Sequence, residues 1–171
     1  LRLMLSEKQL QEVREHLEKA QNPVFFYDND ADGLCSYVIL RKFIGRGKGV
    51  AVKSFPDLNA SYAKKAQELN ADYVFVLDKP VVSKEFITRI GELHLPLIFD
   101  DHHSMQDEET AEFKHLTVYN AATQQEGENA EPVTYLAYKL TERKEDVWIA
   151  VMGCIADHYL PDFASVFEKE Y

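Results

Sequence analysis

Acidic and histidine side chains that could act together recur at four places in this sequence. Asp28, Asp30 and Asp32 alternate in the run Asp28-Asn29-Asp30-Ala31-Asp32-Gly33, and Asp78 follows the apolar stretch Val74-Phe75-Val76-Leu77. Asp101, His102 and His103 follow Leu97-Ile98-Phe99-Asp100, and Asp157 stands among Trp148, Ile149, Val151, Met152 and Ile155. Hard carboxylate oxygens with an imidazole suit Mn²⁺ or Mg²⁺, and the two cysteines, Cys35 and Cys154, lie too far apart for a structural zinc site. Four or more acidic ligands carry a large negative charge, which two divalent cations sharing one site would offset. Two such ions about 3.5–4 Å apart lower the pKa of a bridging water and stabilise both oxygens of an in-line displacement at phosphorus. Asp78, alone after its apolar run, is the expected bridging ligand. On an apolar helix, the Asp157 carboxylate is expected to be buried and therefore paired, hydrogen-bonded or metal-bound.

The elements that position these residues are legible. Ser6 caps a helix over 7–19 with Leu10, Val13 and Leu17 on one side, and Val24 to Tyr27 is a buried strand. The acidic run follows at once, closed by Gly33, and a helix is expected from Leu34 to Ile44. Further strands are expected at 50–55, 73–77, 96–99 and 116–119, with helices at 60–69, 83–93, 131–140 and 146–158. The tail from Phe163 to Tyr171 reads as the beginning of a linker. Strands alternating with helices give an α/β fold, a mainly parallel five-stranded sheet with helices on both faces. In a parallel sheet all the carboxyl ends gather along one edge, so residues 48 and then 23 positions apart (Asp30, Asp78, Asp101) converge there.

Simpler readings exist for each residue taken singly. An Asp after a strand is an ordinary helix N-cap. Asp-x-Asp-x-Asp-Gly also opens a calcium loop, but that loop needs a Glu six residues after the Gly, where this chain has Ile39. His102 and His103 alone read as surface histidines. The ordered combination of all four clusters is what singles them out.

Composition sets the outer limits. Hydrophobic residues are 46% and charged residues 28% of 171, the balance of a folded domain, and no stretch approaches the roughly 18 apolar residues of a membrane span. Two distant cysteines fit a reduced, cytoplasmic setting with both thiols in the core. The net charge of −10 runs against a phosphate-tracking surface, whose affinity comes from Lys and Arg. Metal-binding carboxylates account for part of that charge. Lys79 and the group Arg41, Lys42, Arg46 and Lys48 are the candidate phosphate-binding cations; the group also reads as a solvated helix end.

The four clusters, in this order, resemble motifs I to IV of the DHH phosphoesterase superfamily, most of all its RecJ-like branch and the archaeal proteins within it. The likeness runs over roughly residues 23–163, ending with Gly153-Cys154-Ile155-Ala156-Asp157 as the fourth motif. It implies two divalent cations, Mn²⁺ or Mg²⁺, with metal ligands among Asp28, Asp30 and Asp32, at bridging Asp78, at His102 and at Asp157. It implies catalytic roles for His103, against the scissile phosphate or the leaving group, for Asp101, orienting the histidines, and for Asp78. His103 and Lys79 are the substrate-binding candidates. Asp100 and His158 are neighbours without an assigned role, with a solvent-facing acid and a helix-terminal cation as their plain readings.

The family contains single-strand exonucleases, short-oligonucleotide and cyclic-dinucleotide phosphodiesterases, manganese pyrophosphatases and non-catalytic scaffolds of replication complexes. The expectation is a phosphodiesterase acting on single-stranded DNA or RNA or on short oligonucleotides, with a replication-complex protein as a possible partner. A scaffold is the alternative from another class, although scaffolds lose motif acids that this chain keeps. A pyrophosphatase would carry a histidine four residues before the first motif aspartate, where this chain has Val24. Residues 1–171 are expected to be one DHH domain, with an N-terminal helix in 1–22 and without the second, C-terminal domain of RecJ-like enzymes. The arginine often found after Asn120 in the archaeal branch is missing.

Overall fold

The computed structural model describes residues 5–53, 58–79, 81–101, 114–120 and 131–170. His102 and His103 lie outside the described residues. Five strands, β1 (Pro23–Asp28), β2 (Lys48–Val52), β3 (Tyr73–Leu77), β4 (Leu97–Asp101) and β5 (Leu116–Asn120), form one sheet in the order β2-β1-β3-β4-β5. Every pairing is parallel. The helices among the described residues are α1 (Glu7–Lys19), α2 (Ala31–Ile44), α3 (Ala60–Glu68), α4 (Lys84–Glu92), α5 (Val133–Thr141), α6 (Val147–Ala156) and α7 (Ala164–Glu170), with a 3₁₀ turn at Lys144–Asp146. None is long and apolar enough to cross a membrane.

The strands are apolar throughout because both faces of the sheet are covered. Alternation divides them: Val24, Phe26, Val74, Val76 and Leu97 pack under α3 and α4 with Ala63, Ala66, Phe86 and Ile90. Phe25, Phe75, Leu77 and Ile98 face the other layer, with Leu10 and Leu17 of α1, Ile39 of α2, Leu136 of α5 and Ala150 of α6. Cys35 and Cys154 sit in that second core as free, buried thiols. A Cβ at Gly153 would come 2.5 Å from the Thr134 hydroxyl and 2.9 Å from Cys35 Cβ, so its absence lets α2, α5 and α6 approach closely.

Local signals fix the ends of the elements. Ser6 and Gln9 close a reciprocal capping box on α1. Asn59 caps α3 and Ser83 caps α4, and Gly45 ends α2 in the left-handed region at φ 70°.

Three expectations need correction. Helix α2 begins at Ala31, not Leu34, because Asp30 caps it and the acidic run belongs to its first turn. The second strand is Lys48–Val52, earlier than 50–55. The tail is no linker: Phe163 is buried, stacks on Tyr135 with centroids 5.5 Å apart, and leads into α7.

Candidate metal centre

The sheet order 2-1-3-4-5 reverses direction between β1 and β3, and ligands of open parallel sheets bind beyond the strands' carboxyl ends at such a switch point. Asp28 ends β1 and faces Val52 of β2. Tyr27 faces Leu77, the last residue of β3, and Asp78 follows directly, so the two strands deliver Asp28 and Asp78 at neighbouring strand ends. Leu77 in turn faces Asp100, which brings Asp101 to the same row, opposite Asn120. Asp28, Asp78 and Asp101 thus lie at the carboxyl ends of the neighbouring strands β1, β3 and β4, along one edge. Asp78 leaves the strand in the left-handed region, φ 54°, a conformation that Asp tolerates better than most residues. Asp28 and Asp78 are both buried.

Helix α2 starts directly over this edge. A Cβ at Gly33 would lie 2.3 Å from the carbonyl oxygen of Asp28, so the sequence must carry glycine here for the helix to close on the strand end. Asp30 is exposed and its Oδ1 accepts the Gly33 amide at 2.9 Å, the N-cap bond. Asp28 Oδ1 accepts the Asn29 amide at 2.9 Å.

Asp32 does something different. Its two carboxylate oxygens accept the amides of Val133, at 2.9 Å, and Thr134, at 2.8 Å, while the Thr134 hydroxyl donates to the Asp32 carbonyl at 2.9 Å. The residue before α5 is Pro132, which has no side-chain acceptor to offer, so Asp32 caps that helix from α2. Burial pushes its carboxyl up to about 6; the bonds from Thr134 and Val133 act downward, and the charge of Asp157 adds a smaller upward push. This expected ligand thus joins two helices. Thr134, which sequence reading passed over, completes the joint; Pro132 just before an apolar helix was the signal that could have found it.

Asp157 follows the last turn of α6 as its C-cap, close enough to act on Asp32 by charge. It is exposed, contrary to the expectation of a buried carboxylate, because α6 is not enclosed: Trp148, Met152 and Ile155 are 40%, 51% and 51% exposed along one side. His158 beside it is exposed in a left-handed turn, φ 57°.

Lys79 also departs from expectation. Its side chain turns inward, 2% exposed, and donates to the Lys53 carbonyl at 3.0 Å, with Asp28 Oδ1 at 3.6 Å. An ammonium there lies against Asp28. The basic group at the far end of α2 is structural as well. Arg46 donates to the carbonyls of Ala20, Glu18 and Ile44, Arg41 to Gly47 and Lys48 to Leu69. Lys42 pairs with the buried Asp146, which Arg143 also holds, at 2.8 Å.

The edge therefore gathers Asp28, Asp30, Asp78 and Asp101, with Asp157 nearby and Asp32 bonded to the start of α5. Among the described residues no three side chains of the ligating types converge on one point. Carboxylate oxygens at a switch point fit a divalent cation; a buried ammonium against one of them fits a second cation poorly.

No protein-family model matches the sequence, and no curated protein matches it as a relative. Solved structures do match. The manganese-bound exonuclease RecJ superimposes with a TM-score of 0.67 at 21% identity, over 92% of this chain and 45% of that one. RecJ of Thermus thermophilus in complex with Mn²⁺ gives 0.65 at 21% identity, over 91% of this chain and 25% of that one. CDC45 from Entamoeba histolytica gives 0.63 at 16% identity, over 96% of this chain and 36% of that one. The fold is thus like that of the superimposed part of RecJ, and the chain spans less than half the length of each of these structures.

Proposed function

We propose that this chain is a divalent-metal-dependent phosphoesterase domain that hydrolyses phosphodiesters of single-stranded nucleic acid or short oligonucleotides. The observation that carries the reading is that β1 ends on Asp28, β3 runs directly into Asp78 and β4 ends on Asp101, on neighbouring strands beside the switch point. The likeness to manganese-bound RecJ supports Mn²⁺ as the cation. When bound, divalent cations supply a nucleophilic water near neutral pH and offset charge on the phosphoryl oxygens.

The side chains divide the remaining work. Asp78, buried and fixed by its left-handed turn, is the central ligand, with Asp28, Asp30, His102 and Asp157 around it. Asp101 supports the histidines in the way carboxylates commonly orient ligating imidazoles, and His103 faces the scissile phosphate and the leaving oxygen. Asp32 contributes by holding α5 against α2.

The test is incubation of the chain with Mn²⁺ and single-stranded DNA, single-stranded RNA, dinucleotides, cyclic dinucleotides and pyrophosphate. The proposal predicts cleavage of single strands or short oligonucleotides, abolished by chelation. A replication-complex scaffold is the second reading, favoured by the likeness to CDC45 and by the net charge of −10. It predicts no turnover across the panel.

A further inference from the structure

Lys79 is the one described cation that enters the acidic edge from inside. The left-handed backbone at Asp78 breaks the strand alternation, and the Lys79 side chain runs past the end of β1 to the segment leaving β2. There the ammonium is held between the Lys53 carbonyl, at 3.0 Å, and Asp28 Oδ1, at 3.6 Å, with the side chain 2% exposed. Burial of a charge this deep requires fixed partners, and both of these are anchored by backbone at strand ends. A flexible surface lysine would swing away from an arriving cation; this one is enclosed by the protein. Any divalent ion drawn to Asp28 would share that carboxylate with a resident positive charge.

We propose that the Lys79 ammonium takes the place of one of the two divalent cations expected at this edge, so that the chain binds a single Mn²⁺, centred on Asp78. Lys79 is a positioning residue in this account: it neutralises Asp28 and holds its carboxylate in place. The inference rests on reading the edge as a metal centre.

The experiment is a titration of Mn²⁺ into the metal-free chain, followed by calorimetry and by electron paramagnetic resonance. The wild type should take one equivalent and show the six-line spectrum of an isolated ion. Lys79→Met, with the charge removed and the stem kept, should gain a second equivalent bound at least about tenfold more tightly than any second ion on the wild type, with an exchange-coupled spectrum. Lys79→Arg should stay at one. Two coupled ions in the wild type, or a folded Lys79→Met that still takes one, would overturn the role of Lys79 and leave the metal centre standing. No Mn²⁺ bound by the folded wild type would overturn both. If Lys79→Met does not fold, the wild-type count and spectrum decide alone.

Discussion

The two ends of α2 make opposite use of charge. At the carboxyl end Arg46, Arg41 and Lys48 are spent on main-chain carbonyls and Lys42 on a buried aspartate. They favour the negative end of the helix and tie α1, β2 and the 3₁₀ turn to it. At the amino end the acids exceed what capping requires. Asp30 closes α2 with one oxygen and Asp32 closes α5, while Asp28 and Asp78 are buried at the ends of β1 and β3. The two ends of this helix lie about 20 Å apart, at 1.5 Å per residue. Cations bonded to the main chain mark scaffold; acids gathered beyond the strand ends mark the candidate centre.

The sharpest way to break this contrast is to remove one of these acids. Asp78→Asn keeps a side chain suited to the left-handed turn, and the Mn²⁺-dependent hydrolysis of a labelled oligonucleotide should fall by more than the roughly 10–100-fold typical of a supporting residue. Unchanged turnover would make Asp78 another structural acid. Next in size, Asp32→Ala leaves the Val133 and Thr134 amides without their acceptors and should cost about 2–4 kcal/mol in chemical denaturation. A loss under about 0.5 kcal/mol would show that α5 does not depend on this cap.

The same residue gives a pH signature. Its folded carboxyl titrates at about 6, above the ordinary value near 4, so the folded state holds the proton more tightly and favours the neutral acid. The stability of the wild type relative to Asp32→Asn should therefore be greatest below about pH 4 and decline through about pH 6, by roughly 1–3 kcal/mol. A relative stability that rises over that window would contradict burial as the dominant influence. The smallest effects belong to the other end of α2. Arg46→Ala should lose about 1 kcal/mol of stability, with no change in the salt dependence of oligonucleotide binding. A shallower salt slope would return this group to the substrate surface.

Much of this was legible in the sequence. The apolar strands, the cap at Ser6 and the alternation of strand and helix point to the parallel sheet, because each rests on local periodicity or on one hydrogen bond. The convergence of Asp28 and Asp78 followed from the sheet being parallel. What escaped was decided by contacts distant in sequence. Asp32 and Asp30 look alike in the acidic run, and only the arrival of α5, a hundred residues later, assigns Asp32 to Val133 and Thr134. Lys79 reads as a phosphate-binding candidate in the sequence, and only the turn at Asp78 shows its side chain running inward. The composition of α6 suggested burial, yet its exposed side is as apolar as its packed one, and no periodicity could reveal that.

The central claim, that the carboxyl ends of β1 and β3 form a metal centre, is tested most directly by anomalous diffraction at the manganese edge from crystals grown with Mn²⁺. A strong peak is expected within coordinating distance of the Asp78 carboxylate, at the switch point of the sheet. Manganese peaks confined to acids elsewhere on the surface, with none beside Asp78, would contradict it.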